Sequence, residues 1–211
     1  DFGSNGTELQ LTLPPSGSVF VLFLKKSTQT DFVRSFSKPS DLNPLISSVK
    51  SEKGQLYLMA AEEGQYMVET TQGKKAEVRV SGLPPAQTLN EAWDLEFLHP
   101  GKPAESVKIA RLVSWTDLPG ELKYFLGTAR YRKAFPIPSN ALTSSRRCLL
   151  DLSEVRNTVR IKVNGKQVST LWAPPFIQDI SSFVRNGNNL LEIEITNLWA
   201  NRLIGDEQYP D

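Results

Sequence analysis

The sequence predicts an all-β protein made of two β-sandwich units. Three observations carry that expectation. Apolar residues recur with period two, Asn/Gly turns separate the alternating runs, and paired prolines interrupt them. Period two puts every other side chain on one face of a pleated strand, and a polar opposite face marks antiparallel sheet over a core. Proline lacks a backbone donor and so delimits strands. No stretch carries a sustained 3.6-residue apolar stripe.

In chain order, five strands are expected first: 7–13, 18–25, 55–60, 65–70 and 74–81. "SVFVLFL" (18–24) is apolar on both faces and reads as a central strand. "AEVRV" (76–80) alternates and reads as half-buried. Between Lys26 and Lys53, Ser, Asp, Pro and Lys dominate, which reads as a long loop. "SGLPPAQTLNEAW" (81–93) breaks the strand pattern and places the boundary between units 1–85 and 86–211.

The second unit reads as eight strands, from "WDLEF" (93–97) to "LEIEIT" (191–196), the size of a jelly roll. "CLLDL" (148–152) alternates, and "DLSEV" (151–155) is short enough for one helical turn capped by Asp151 or Ser153. "TVRIKV" points Val159, Ile161 and Val163 to one face and Arg160 and Lys162 to the other. "VNGK" (163–166) is a hairpin, because Asn164 and Gly165 tolerate positive φ. "RNGNNL" (185–190) is a second turn, feeding a strand with Leu191, Ile193 and Ile195 inward and Glu192 and Glu194 outward.

Composition narrows function. The chain has 211 residues, 39% apolar and 22% charged, with net charge +1. That balance suits a globular chain and gives no electrostatic footprint for nucleic acid. No apolar run is long enough to span a membrane as a helix. Cys148 is the one cysteine, so no internal disulfide forms. "DFGSNGTELQ" lacks Met, a basic n-region and an apolar h-region, and reads as the start of a trimmed or processed piece. The single histidine, His99, lies beside Pro100 and Gly101 and reads as an exposed loop side chain. One His and one Cys do not make a zinc site or a Cys-His nucleophile. GxSxG, HExxH and Gly-rich phosphate loops are missing, and no acid pair is set for glycoside cleavage. No cofactor is predicted. No Asp/Asn spacing identifies a calcium loop.

The four tryptophans, Trp93, Trp115, Trp172 and Trp199, all lie in the second unit. Trp93 and Trp115 read as core. Trp172, Asn197, Trp199, Asn201, Arg202 and Asp206 are the carbohydrate-binding candidates. An indole face stacks on a sugar's C–H-rich face, while amides, Arg and Asp address hydroxyls. A structural reading stands beside it. In that reading Trp172 is core, Arg202 pairs with Asp206, and Asn197 satisfies backbone groups where the last strand exits. Leu203 and Ile204 are expected to anchor the tail, at about 1.5–3 kcal/mol each if fully buried.

"YFLGTARYRKAFPIP" and "LDLSEVRNTVRIKVNGKQVSTLWAPPFIQDISSFVRNGNNLLEIEITNLWANRLIGD" together resemble the galactose-binding-like jelly-roll domain of family-2-type glycoside hydrolases. The version is that near the C-terminus of secreted bacterial enzymes of the family 106 α-L-rhamnosidase type. The matching positions are Gly127, Thr128, Ala129, Tyr131 and Phe135, then Val163, Asn164 and Gly165. Leu171, Trp172, Pro174, Pro175, Phe176, Asp179, Ile180, Gly187, Asn189 and Asn197 through Asp206 complete the set. The resemblance covers residues 88–211, and the "LTLPPSGSVFVLF" stretch resembles more loosely the β-sandwich before that domain. It implies an ancillary, non-catalytic role beside a (β/α)-barrel catalytic domain, with carbohydrate as a candidate ligand, outside the cell or in the periplasm. A free-standing carbohydrate-binding module and a purely structural module are the alternatives.

Overall fold

The computed structural model describes residues 2–3, 6–7, 11, 13, 17–22, 33–37, 48–52 and 55–208. The fold is all-β, built from antiparallel sheets. It divides into two units, Asp1–Ala86 and Gln87–Asp211.

In the first unit β1 (Phe2–Gly3) pairs with β2 (Gly6–Thr7). β3 (Val33–Ser37), β6 (Gly64–Thr70) and β7 (Lys75–Val80) form a three-stranded sheet, and β4 (Ser48–Glu52) pairs with β5 (Gln55–Met59). One face of β6 buries Tyr66, Val68 and Thr70. The Tyr66 hydroxyl donates to the Glu62 carbonyl at 2.9 Å, which keeps its polar end satisfied.

Several expectations change here. Residues 18–22 of "SVFVLFL" are not strand, and Phe20 is 94% exposed. No described strand pairs with the run, and an apolar segment without a ladder has no face to bury. Residues 23–25 lie outside the described residues. Of the 7–13 strand, β2 ends at Thr7 and Leu11 and Leu13 are exposed coil; the rest lies outside the described residues. The expected 26–53 loop contains β3 and β4, because pairing with β6 and β5 overrides a polar composition. β7 forms, but as an edge strand of its sheet it buries no face, and Val78 is exposed.

The second unit holds β8 (Glu91–Leu98), β9 (Glu105–Arg111), β10 (Thr128–Ile137), β11 (Leu149–Asp151), β12 (Thr158–Val163), β13 (Lys166–Leu171), β14 (Ile177–Asp179) and β15 (Gly187–Thr196). A short helix, α1 (Ala200–Asp206), follows, and 3₁₀ turns occupy Trp115–Asp117 and Gly120–Tyr124. Six strands form one sheet in the order β13-β12-β15-β10-β8-β9, and β11 pairs with β14.

The inner face of the six-stranded sheet carries Trp93, Leu95, Phe97, Ile109, Ala129, Tyr131, Phe135, Val159, Ile161, Val163, Leu191 and Ile193. Phe97, Trp115 and Phe125 meet edge to face, with ring centroids 4.7–5.7 Å apart. The outer face is a lattice of alternating charge. Register aligns Glu96, Arg130, Glu194 and Arg160 in one row and Asp94, Arg132, Glu192 and Lys162 in the next. Opposite charges directly across antiparallel strands stabilise the pairing.

The "VNGK" hairpin forms as expected, with Asn164 at φ 52° and Gly165 at φ 76°. Asn164 also donates to Asn189 Oδ1 at 2.8 Å and to the Phe183 carbonyl at 2.9 Å, so the hairpin is tied to the second Asn/Gly turn. "DLSEV" is not a helical turn. Asp151 ends β11 and its Oδ1 accepts the Ser153 amide at 2.7 Å, a side-chain-closed turn that places Ser153 at φ 55°.

Candidate functional site

Strands β8, β13 and β15 end, and β9, β10 and β12 begin, at one end of the six-stranded sheet. The candidate residues gather at that end because each follows a strand terminus. Asn197 follows β15 and ties it to the segment before β10. Its Oδ1 accepts the Gly127 amide at 2.9 Å, its Nδ2 donates to the Phe125 carbonyl at 2.7 Å, and its own amide donates to the Gly127 carbonyl at 3.2 Å. Both ends of this amide therefore serve the backbone.

After Asn197 the chain turns into α1, where period-two alternation gave no helix signal. Gly205 is the buried residue of α1. A Cβ there would lie 2.7 Å from Tyr124 Cγ and 2.8 Å from Tyr124 Cβ, so only glycine lets the helix seat this closely. Leu203 and Ile204 do not anchor the tail; both are more than half exposed. The helix presents Gly205 to Tyr124, and residues one and two positions earlier turn away from that contact at 100° per residue. Arg202 Nη2 lies 2.9 Å from Asp206 Oδ1, one turn along, with both side chains half exposed. Asn201 is half-buried, and Tyr209 and Pro210, the end of the polar tail segment, lie outside the described residues.

Trp172 and Trp199 are 79% and 68% exposed. Trp172 leaves the end of β13, ahead of a cis Pro174–Pro175 bond and the buried Phe176. Strand order puts β13 on one edge of the sheet and β9 on the other, five steps apart. At about 4.8 Å per step the two edges lie on the order of 20 Å apart.

The β8–β9 edge holds an open hollow of about 310 Å³ lined by His99, Glu105, Glu121, Leu122, Tyr124, Phe125, Leu126 and Arg202. Among the six candidates only Arg202 lines it. His99 is not simply an exposed loop side chain. Its ring meets Phe125 edge to face at 5.2 Å, and Nε2 lies 4.0 Å from Glu105 Oε2. The hollow unites residues from the ends of β8 and β9, the second 3₁₀ turn and α1. Nothing in their sequence spacing advertises it; the one cue is the aromatic pair Tyr124-Phe125 just before the Gly127 strand entry.

Elsewhere, Glu194 is the most buried acid among the described residues, its side chain 7% exposed. Burial pushes its carboxyl up, but the Arg130 hydrogen bond and the charges of Lys162 and Arg130 outweigh that and hold it below 4.5. Among the described residues no group of three or more His, Cys, Asp or Glu side chains is arranged to hold a metal ion. No described helix is long and apolar enough to cross a membrane.

No protein-family model matches the chain. A protein of Formosa agariphila named "Putative beta-glucuronidase" is 32% identical over 207 residues, which is 98% of this chain and 17% of that protein. The solved rhamnosidase from Novosphingobium sp. PP1Y is 32% identical and superposes with a TM-score of 0.57 over 79% of this chain and 16% of its own. This chain resembles one segment of larger glycoside hydrolases. It spans about one sixth of the length of each relative and is a β-sandwich segment associated with such enzymes.

Proposed function

We propose that this chain is a non-catalytic ancillary portion of a secreted glycoside hydrolase of the family 2 or α-L-rhamnosidase type. In this reading residues 87–211 form a galactose-binding-like jelly roll and the first unit is a small β-sandwich or part of one. The chain supports the catalytic domain and holds carbohydrate at the end of the six-stranded sheet, outside the cell or in the periplasm. The observation that carries the reading is the alignment of 98% of this chain with 17% of a far longer relative.

The chemistry of the acids supports the non-catalytic part. A glycosidase general acid needs its proton held to higher pH by burial or a like charge. Glu194, the most buried acid among the described residues, is moved the opposite way by Arg130 and Lys162. The exposed apolar side chains Leu198, Trp199, Leu203 and Ile204 support a supporting role, because such a group suits contact with a neighbouring domain.

The test has two arms. The 211-residue chain is incubated with a panel of aryl glycosides and separately titrated with oligosaccharides. The expected result is no turnover, with saturable oligosaccharide binding. Turnover that survives purification would overturn the ancillary reading, and binding to no saccharide would leave the structural module as the surviving alternative.

A further inference from the structure

We propose that the outer face of the six-stranded sheet, at its β12–β13 edge, is the saccharide subsite, with the Trp172 indole as the platform on which a pyranose ring stacks. This deepens the carbohydrate-binding part of the proposed function and rests on it. The pleat sets where the indole lies. Leu171, the last residue of β13, pairs with Val159 and packs against the core, so the next side chain turns to the opposite face. Trp172 is accordingly 79% exposed. The segment that carries it is held on both sides. Beyond it Phe176 is buried, and the Phe176 carbonyl accepts the Leu152 amide at 2.9 Å. A platform whose backbone is already fixed spares a ligand much of the ordering cost of binding.

The groups that share this face select a sugar rather than an apolar partner. Thr170 precedes Trp172 on the same face, about 7 Å back along the strand. Arg160 lies across from Thr170, and Thr158 is the next outer-face residue of β12 on the Trp172 side of Arg160. Neighbouring strands are about 4.8 Å apart, so these groups fall within reach of a sugar stacked on the indole. Their chemistry matches the hydroxyl rim of a pyranose. The two threonine hydroxyls both donate and accept. The Arg160 side chain is 52% exposed, and its Nη1 donates to Glu194 Oε2 at 3.1 Å. A guanidinium carries several further N–H donors, which can address a hydroxyl or ring oxygen. β15 continues the polar face with Glu194 and Thr196. Trp199 stands in different company: Leu198 precedes it, Leu203 and Ile204 follow about one helical turn on, and all three are exposed. An indole among aliphatic side chains suits a protein surface. One among hydroxyls and a guanidinium suits a C–H face rimmed with hydroxyls.

The test titrates the full chain with cellotetraose, galactotetraose and mannotetraose while indole and backbone N–H signals are followed by NMR. The expected result, for at least one probe, is a saturating shift of the Trp172 indole signal, with shifts at Thr158, Arg160 and Thr170. The indole signal is assigned by its loss in Trp172→Phe. For that probe Trp172→Ala should weaken binding about tenfold or more, and Trp172→Phe, which keeps an aromatic face, by less than about threefold. Thr170→Val keeps the shape but removes the hydroxyl, and should weaken binding about threefold without touching the indole. Trp199→Ala should leave the affinity unchanged. Unchanged affinity in both Trp172→Ala and Thr170→Val would overturn the proposal. Shifts confined to Trp199, or to Glu121 through Leu126, would also overturn it, yet leave carbohydrate binding intact. No shift with any of the three probes would sink the Trp172 platform as well, and the oligosaccharide titration above then reads separately whether carbohydrate binding survives.

Discussion

The four tryptophans divide into two pairs with opposite fates. Trp93 and Trp115 are 3% and 8% exposed; Trp172 and Trp199 are 79% and 68% exposed. The buried pair has satisfied donors: Trp93 Nε1 donates to the Leu89 carbonyl at 2.7 Å and Trp115 Nε1 to the Tyr131 hydroxyl at 2.5 Å. Burial of that hydroxyl raises the Tyr131 pKa, against the smaller lowering by the Trp115 bond, so it stays a neutral partner. Trp93 sits inside a strand, at a position whose alternate neighbours Leu95 and Phe97 are also buried. Trp172 and Trp199 follow strand ends, where no facing layer is in place. The contrast teaches that an indole is buried where other side chains close over it, whether it starts from a strand, as Trp93 does, or from a 3₁₀ turn, as Trp115 does against Phe97 and Phe125.

The largest test of that contrast is Trp93→Ala. It removes a buried indole packed edge to face on Tyr131 at 6.1 Å and should cost about 3–5 kcal/mol, read by chemical denaturation. A loss below about 1 kcal/mol would mean that Trp93 is not part of a close-packed layer.

Next in size is Asn197→Ala. It leaves the Gly127 amide and the Phe125 carbonyl without their partner and should lower stability by about 1–3 kcal/mol. Asn197 precedes the exposed Leu198 and Trp199, so this residue tests where structure ends and surface begins.

Glu194→Gln should cost about 1–2 kcal/mol at neutral pH, moderated because Arg160 is half exposed. The folded carboxyl is held below its ordinary 4.5, so its stabilisation is present above that value and is lost as pH falls through the folded value. The gap between wild type and variant should therefore be full at pH 7 and close progressively below about pH 4.5, in denaturation series across pH. A gap that widened on acidification would contradict the charge lattice.

The smallest effects belong to the exposed set. Trp172→Ala, Trp199→Ala and Arg202→Ala should each change stability by less than about 0.5 kcal/mol, measured as thermal shifts. Arg202 and Asp206 are both half exposed, so the pair is screened and its loss strands no buried group. A large loss at Trp199 would move it into the buried class.

The eight strands of the second unit and its Asn/Gly turns were legible because alternation and positive-φ tolerance are local properties. Asn164-Gly165 needs nothing distant to turn, and Val159, Ile161 and Val163 need only a sheet to sit in. The candidate site was legible in part. The polar group after β15 could be seen, but not that Arg202 alone would join the hollow. His99, Glu105, Glu121 and Tyr124 were missed because they lie 78–103 residues before Arg202 in the chain, and no local spacing encodes such a meeting. In the first unit, polar β3 and β4 were hidden for the same reason, since their pairing partners make them strands.

The residue order alone dictated a pleated body, its tight turns and a polar strip at the end of the last strand, since each follows from backbone preferences over a few residues. Which face of α1 is buried, which indoles are wet, and which acids surround a hollow were settled only when distant segments came together. Burial is a property of what lies opposite, and a single strand carries no information about its opposite layer.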